Sequence, residues 1–121
     1  MDIKLLDYDF SILKVDNINN IDFNKEYFFY SKTDEEISIV CKSCDEVNSY
    51  ISISRGWKGF RIDGVLDFSL IGIIKEISIL LANNKIGIFV ISTYNTDYVF
   101  VKEENYNKTV ELLKENNYNA K

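Results

Sequence analysis

The sequence contains neither histidine nor proline, and only two cysteines and five glycines occur among its 121 residues. Histidine has the side-chain pKa closest to neutrality and is the commonest metal ligand, so its absence removes the usual general base and the usual metal-binding group. The longest largely apolar stretch, Leu70 to Ala82, is shorter than the roughly 20 residues of a membrane-spanning helix. No signal peptide or lipidation motif is visible. These absences predict a cytoplasmic protein without a membrane partner, and they count against an enzyme, a cofactor and a metal site.

Positive charge is also scarce. The chain has 19 acidic and 14 basic residues, a net charge of -5 at pH 7 and a pI of about 4.7, without a cluster of basic residues. Such a chain does not attract a phosphate backbone, so we expect no nucleic acid partner. Hydrophobic residues make up 46% of the sequence, which is enough for a core. The length suits one domain, or two small subdomains that share a core.

The first half of the chain is typical of short strands joined by polar connections. Tyr8 to Val15 alternates apolar and polar residues and predicts a strand, whereas Asp16 to Lys25 is rich in Asn and Asp and predicts a loop. Glu26 to Ser31 and Glu36 to Cys41 are rich in aromatic and β-branched residues and predict a hairpin. Cys44 to Ser54 mixes helical and strand spacing, and we expect a short helix followed by an extended segment there.

The second half alternates strands and helices. Gly56 to Val65 predicts a strand, and apolar residues at a 3.6-residue period predict a helix from Leu70 to Asn83. Ile86 to Ile91 is almost entirely apolar, which is typical of a central strand covered on both faces. Asp97 to Lys102 predicts the next strand, and acidic residues from Glu103 onward favour the start of a final helix. This order predicts an α+β fold with helices on one face of antiparallel sheets.

An internal repeat indicates two related halves. A shift of 61 positions aligns the two predicted hairpins, and the first half lacks the helix that the second half contains. We therefore expect a degenerate half at residues 1–55 and a complete half at 56–121. The aligned pairs are Ser31 with Ser92, Glu36 with Asp97, Ile39 with Phe100 and Val40 with Val101.

The segment from Trp57 to Val101 resembles the ACT domain family, of the type found in small bacterial proteins and in the CASTOR arginine sensors. The preceding half is similar through Thr33, Glu36 and Ser38-Ile39-Val40, so the resemblance covers roughly Glu26 to Leu113. The most specific part of the resemblance is the second hairpin, around Ser92 to Tyr98. The residues that carry it are Gly64, Asp67-Phe68-Ser69, Gly72-Ile73, Leu81-Ala82, Ile86, Phe89 and Ile91-Ser92-Thr93-Tyr94-Asn95-Thr96-Asp97-Tyr98.

The resemblance implies a ferredoxin-like βαββαβ fold, present as two ACT-like halves of which the first is reduced. Many ACT domains bind an amino acid at an interface between two such units and regulate an attached enzyme or a partner. For this chain it implies a non-enzymatic sensor that binds a small-molecule amino acid, forms a homodimer and regulates a separate protein, since no enzyme domain is attached. The chain departs from the family pattern at Gly64-Val65, where similar sequences often carry Gly-Pro. The alternative is a ligand-free module for protein interaction or oligomerisation.

Under this resemblance, the loop before the first helix is the expected ligand site. Backbone N–H groups at a helix start favour an anion such as an amino acid's carboxylate. Gly72 would permit close approach of the ligand, and Asp67 could accept its ammonium group. The alternative is that Asp67 or Ser69 only caps the helix. The expected ligand-binding residues in this region are Asp67, Phe68, Ser69, Ile71, Gly72 and Ile73.

The following strand and hairpin would complete the site. Ile88 and Phe89 would line a pocket wall under the family interpretation, and would be ordinary core residues otherwise. The oxygens of Ser92, Thr93 and Asp97 could reach a ligand, or could only close the hairpin turn by hydrogen bonds to the backbone. Both alternatives remain open at the level of sequence.

The segment Cys41-Lys42-Ser43-Cys44 forms a CxxC motif. Zinc requires four ligands, and the chain offers no histidine or second cysteine pair to complete the two that the motif supplies. A redox dithiol requires a lowered thiol pKa at a helix N-terminus, whereas Cys41 ends a predicted strand. We expect reduced structural cysteines, with a redox enzyme as a third alternative to the sensor and the interaction module.

Overall fold

A computed structural model describes residues 1–63 and 72–121, within which the chain forms seven β-strands and two α-helices. The chain divides into two compact units. Unit 1 comprises residues 1–7 and 58–121, and unit 2 comprises residues 8–57. Two long strands, β1 (Asp2–Val15) and β4 (Ser52–Ile62), contribute residues to both units.

Unit 2 is a small antiparallel sheet. Besides parts of β1 and β4 it contains β2 (Phe29–Lys32), β3 (Ile37–Lys42) and a 3-10 turn at Ser43–Asp45. β3 pairs antiparallel with both β1 and β2. The predicted hairpin is therefore confirmed, and the predicted short helix is a single 3-10 turn. The buried core of this unit consists of Leu13, Val15, Ile39 and Cys41.

Unit 1 contains both α-helices and follows the order β-α-β-β-α-β from β4 onward. β4 neighbours β6, β6 pairs antiparallel with β5, and a short β7 pairs in parallel with β1. This order confirms the α+β class. The elements after β4 are α1 (Ile73–Asn83), β5 (Ile88–Ser92), β6 (Asp97–Lys102), a 3-10 turn (Glu103–Asn105), α2 (Tyr106–Glu115) and β7 (Asn119–Ala120).

Helix α1 follows the apolar stripe that the sequence predicts. Ile77 and Leu81 are fully buried, while Lys75 on the opposite side is exposed. The helix ends in a Schellman motif: Lys85 has a left-handed φ of 61°, and the N–H of Ile86 donates to the carbonyl of Leu81 at 2.9 Å. The 3.6-residue pattern thus fixes which side of α1 packs against the core of unit 1.

Strand β5 differs from its prediction. The apolar run at 86–91 predicts a central strand, but β5 stands at the end of the strand order, beside β6. Its four apolar residues are only half-buried. An apolar run indicates that both faces of a strand are hydrophobic, but it does not indicate which strands pair with it on either side. The prediction of a central strand is therefore wrong.

The two hairpins are equivalent, and their spacing is 60 residues. In each, the second strand has six residues, is buried at its third to fifth positions and leads into a three-residue 3-10 turn. The predicted shift of 61 is wrong by one residue, so Ile39 corresponds to Val99 and not to Phe100. Successive side chains of a strand point to opposite faces, so an alignment that is wrong by one residue assigns each side chain to the wrong face.

Candidate functional site

Gly72 lies at the N-cap position of α1 with a left-handed φ of 100°. Its carbonyl accepts the N–H of Glu76 at 2.8 Å. Among the described residues, and leaving aside its chain neighbours and the backbone of α1 itself, no heavy atom lies within 4 Å of the position that a Cβ would occupy. A glycine adopts this backbone conformation without the steric cost that a Cβ imposes. Within residues 1–63 and 72–121, no side chain therefore fills the space beside Gly72. Four of the predicted ligand residues, Asp67, Phe68, Ser69 and Ile71, lie outside the described residues.

The predicted apolar site residues Ile73, Ile88 and Phe89 do not share one surface. Ile73 and Ile88 are half-buried and pack against the core cluster of unit 1. Phe89 follows Ile88 in β5 and so points to the opposite face of the strand. There its ring stacks on that of Phe100, with centroids 4.7 Å apart and planes at 11°. Packing within unit 1 accounts for the burial of all three predicted residues.

The predicted polar residues of the hairpin form hydrogen bonds within the hairpin itself. The Ser92 hydroxyl donates to the carboxylate of Asp97, which stands opposite it in the register of β5 and β6. The Thr93 hydroxyl donates to the carbonyl of Thr96 at 3.0 Å and accepts the N–H of Thr96 at 3.5 Å. These bonds close the turn, as the alternative interpretation of these residues proposes. The exposed oxygens of Ser92 and Asp97 nevertheless form one polar pair at the end of the hairpin.

Thr96 belongs to the hairpin that carries the family resemblance but is not among the predicted site residues. Its side chain is buried, and its Oγ1 donates to the carbonyl of Ile62 at 2.6 Å. Ile62 is the last residue of β4. Threonine at a turn is ordinary, so the sequence gives no indication that this hydroxyl reaches a strand 34 positions earlier.

Two tyrosines of unit 1 have a raised pKa. For Tyr118 the larger cause is burial, and a hydrogen bond to the Glu76 carboxylate at 3.1 Å adds to it. For Tyr106 the main cause is again burial. Both phenols are protonated at neutral pH, and the Tyr118 hydroxyl ties the end of α2 to α1. These groups stabilise the helical layer rather than provide a base.

The CxxC motif places its two thiols in different environments. Cys41 is fully buried in β3, and burial raises its pKa to about 12. Cys44 is exposed within the 3-10 turn. A reactive dithiol requires a thiolate near neutral pH. Cys41 remains a neutral thiol under those conditions, which disfavours the redox alternative. The described residues also contain no group of three or more Cys, Asp or Glu side chains that could hold a metal ion.

Unit 2 contains a polar cavity of about 380 Å³ between the loop after β1 and the segment after the 3-10 turn. Ile21, Phe28 and Val47 line it and also pack against the core of unit 2. Glu46 lines it as well and is held in place, since its carboxylate accepts two hydrogen bonds at 2.9 Å from Arg55 and one from the buried Ser11 hydroxyl. This network fixes the segment after the 3-10 turn against β1 and β4.

Solved structures share this fold. Protein Atu0741 from Agobacterium tumefaciens is 27% identical, with a TM-score of 0.88 over 99% of this chain and 91% of that one. Protein VC0802 from Vibrio cholerae, described as a possible transport protein of unknown function, is 16% identical, with a TM-score of 0.74 over 94% and 88% of the two chains. The aspartate kinase of Clostridium acetobutylicum is 13% identical, with a TM-score of 0.64 over 89% of this chain but only 32% of the kinase. The latter two likenesses concern the fold alone.

No curated protein matches the sequence. Among the described residues, no helix is long and apolar enough to cross a membrane. A family model described as an ACT domain matches residues 52–115, which is more than half of the chain and includes β4, α1, β5, β6 and α2. The match agrees with the β-α-β-β-α-β order of unit 1 and with the ferredoxin-like fold that the resemblance implied. The chain therefore belongs to the ACT domain family.

Proposed function

We propose that this ACT domain is a non-enzymatic sensor that binds a small amino acid and thereby regulates a separate protein in the cytoplasm. The observation that carries the proposal is Gly72 at the start of α1, where no other described residue outside its chain neighbours and its own helix comes within 4 Å of a Cβ built on the glycine. The N–H groups of a first helical turn have no intrahelical acceptors and carry partial positive charge. A carboxylate can bind there, provided that no side chain occupies the space.

The proposed ligand is bound at a homodimer interface, as is common for ACT domains. The proposed ligand-binding residues are Asp67, Phe68, Ser69, Ile71, Gly72, Ile73, Ile88, Phe89, Ser92, Thr93 and Asp97. We also propose that the chain divides into a reduced half at 1–55 and a complete half at 56–121. The strand order supports this division: a hairpin lies beside a long strand in both units, as β2-β3-β1 in unit 2 and as β5-β6-β4 in unit 1.

Thermal unfolding in the presence of each of the twenty amino acids at millimolar concentration tests the proposal. A ligand at about 100 times its Kd adds roughly 2.7 kcal/mol to the free energy of unfolding, which raises the melting temperature by several degrees. A shift with one or two amino acids supports the sensor and identifies the ligand. The absence of a shift with all twenty would contradict it.

A matched pair of variants locates the site. Asparagine tolerates a left-handed φ better than other residues with a Cβ, so Gly72→Asn adds a side chain at the start of α1 with limited backbone strain. Gly87→Asn adds the same side chain at a position where, apart from the chain neighbours, no atom of the described residues lies within 4 Å of the added Cβ. We expect the first variant to lose the ligand-induced shift and the second to keep it. Equal shifts in both variants would place the ligand elsewhere.

A ligand-free interaction module is the second candidate, and β5 favours it. The strand stands at the end of the strand order and contains no charged residue, although terminal strands usually carry charges that prevent pairing with another chain. Ile79 on α1 is also 49% exposed. Sedimentation equilibrium with and without each amino acid separates the candidates. A dimer of unchanged affinity throughout favours the interaction module, whereas ligand-dependent assembly favours the sensor.

A further inference from the structure

The hydroxyl of Thr96 makes a long-range contact within unit 1. It donates to the carbonyl of Ile62 at 2.6 Å, and the Thr96 residue is only 7% exposed. The next residue, Asp63, donates its N–H to the carbonyl of Asp2 at 2.9 Å. The C-terminal end of β4 is therefore held by the β5–β6 turn and by β1. A hydrogen bond buried in this way is stronger than an exposed one, because water does not compete for its acceptor.

The equivalent turn in unit 2 shows that turn closure does not require this hydroxyl. There the N–H of Thr33 donates to the carbonyl of Glu36 at 2.9 Å, as that of Thr93 does to Thr96 at 2.8 Å. The first threonine of each turn also accepts the N–H of the residue three positions later. Yet the residue equivalent to Thr96 is Glu36, whose side chain is exposed. The same turn thus forms without a threonine at its fourth position.

We propose that Thr96 is a positioning residue, which holds the β5–β6 hairpin of unit 1 against the C-terminal end of β4. It thereby positions the proposed ligand-binding residues Ser92, Thr93 and Asp97. This inference rests on the proposed function. The polar pair at the end of the hairpin belongs to one short turn, and the start of α1 follows β4 in the chain. The bond from Thr96 to Ile62 joins the hairpin turn directly to the end of β4, so the position of the turn relative to β4 does not depend on the hairpin alone.

Three variants test this role. Thr96→Val keeps the shape of the side chain and removes the hydroxyl, and Thr96→Ser keeps the hydroxyl. Thr109→Val is the matched control, because Thr109 is also buried and donates to a carbonyl at 2.8 Å, but that carbonyl belongs to Asn105 in the same helical segment. All three variants are examined as the full chain.

Two measurements are made on each variant: amide hydrogen exchange at Asp63, and the Kd of the amino acid that stabilises the wild-type protein. For Thr96→Val we expect about tenfold faster exchange and about tenfold weaker binding, the order expected for the loss of one buried hydrogen bond. Thr96→Ser should restore both values. Thr109→Val should lower the melting temperature while leaving both values within about twofold of wild type.

The outcomes separate this inference from the proposed function. If no amino acid stabilises the wild-type protein, the sensor proposal is wrong and the ligand-positioning role of Thr96 is wrong with it. If an amino acid binds wild type and Thr96→Val equally well, or if Asp63 exchange is unchanged in Thr96→Val, the positioning role is wrong while the sensor stands. Loss of binding in Thr109→Val to the same extent would also overturn it, because a general loss of stability would then explain both variants.

Discussion

Replacing Gly59 with alanine tests how closely β4 packs against β6 in unit 1. A Cβ at position 59 would lie 2.8 Å and 2.9 Å from two ring carbons of Phe100, and 3.5 Å from a methyl carbon of Leu6. Ordinary carbon contacts are about 3.5–4.0 Å. The Phe100 ring would therefore have to move by several tenths of an ångström.

The surroundings of Phe100 oppose that movement. The residue is fully buried, and its ring is stacked on Phe89 at 4.7 Å. Adding one methyl group to a core that cannot relax typically costs about 1–3 kcal/mol. For a chain of this length such a loss lowers the melting temperature by on the order of 10 °C. We expect Gly59→Ala to fall in this range, while keeping the fold.

The assay is urea unfolding at pH 7 together with thermal unfolding. Gly87→Ala is the control, because a Cβ there meets no atom of the part of the chain that the structure describes within 4 Å, its chain neighbours aside. This variant should be neutral or slightly stabilising. A double-mutant cycle with Phe100→Leu identifies the contact: the cost of Gly59→Ala should shrink by about 0.5–3 kcal/mol when the ring is absent. If Gly59→Ala is as stable as Gly87→Ala, or costs the same with and without the Phe100 ring, the packing argument is refuted.

Two further predictions concern unit 2. Hydrogen bonds from Arg55, and to a smaller extent one from Ser11, hold the pKa of Glu46 below its usual 4.5 in the folded protein. The Glu46 carboxylate therefore stabilises the fold above pH 4.5, and this stabilisation is lost as the pH falls through the lower pKa of the folded state. The urea midpoint of Glu46→Gln should accordingly fall less than that of wild type between about pH 5 and pH 3, and parallel profiles would show that the network has no such effect. Cys44 is exposed, whereas burial raises the pKa of Cys41 to about 12. Iodoacetamide should therefore label only Cys44 in the native protein and both thiols in denaturant. Rapid labelling of Cys41 in the native protein would contradict its burial.

The periodic segments of this chain could be predicted because they depend on local spacing. Apolar residues at a 3.6-residue period identify α1 from its own sequence, since the buried side of a helix is set by which residues share one face. Alternation identifies the part of β1 from Tyr8 to Val15 in the same way. The family resemblance, carried largely by the hairpin around Thr93, extended this to the order of elements in unit 1. No part of that inference required knowledge of distant neighbours.

Several features could not be predicted because they depend on which distant segments become neighbours. The sequence of β5 is apolar on both faces, but only strand pairing decides that it stands at the end of the order. The structural equivalence of the two hairpins depends on how each turn pairs its strands, and the alignment of similar residues in the sequence was wrong by one position. For the candidate site, the sequence indicated Gly72 and the polar hairpin residues. The roles of Phe89 in a ring stack and of Thr96 in a bond to β4 arise only after folding.

Local pattern thus determined the elements of this protein, its acidic surface charge and its membership of the ACT domain family, because each depends on residue types and their spacing along the chain. The tertiary structure decided the position of β5, the raised pKa of Cys41 and the contact between Thr96 and Ile62. Burial and hydrogen bonding at those positions are set by residues tens of positions away. Thr93 and Thr96 carry the same hydroxyl in one turn, yet that of Thr93 closes the turn and that of Thr96 holds two segments together, because only Thr96 lies beside the end of β4.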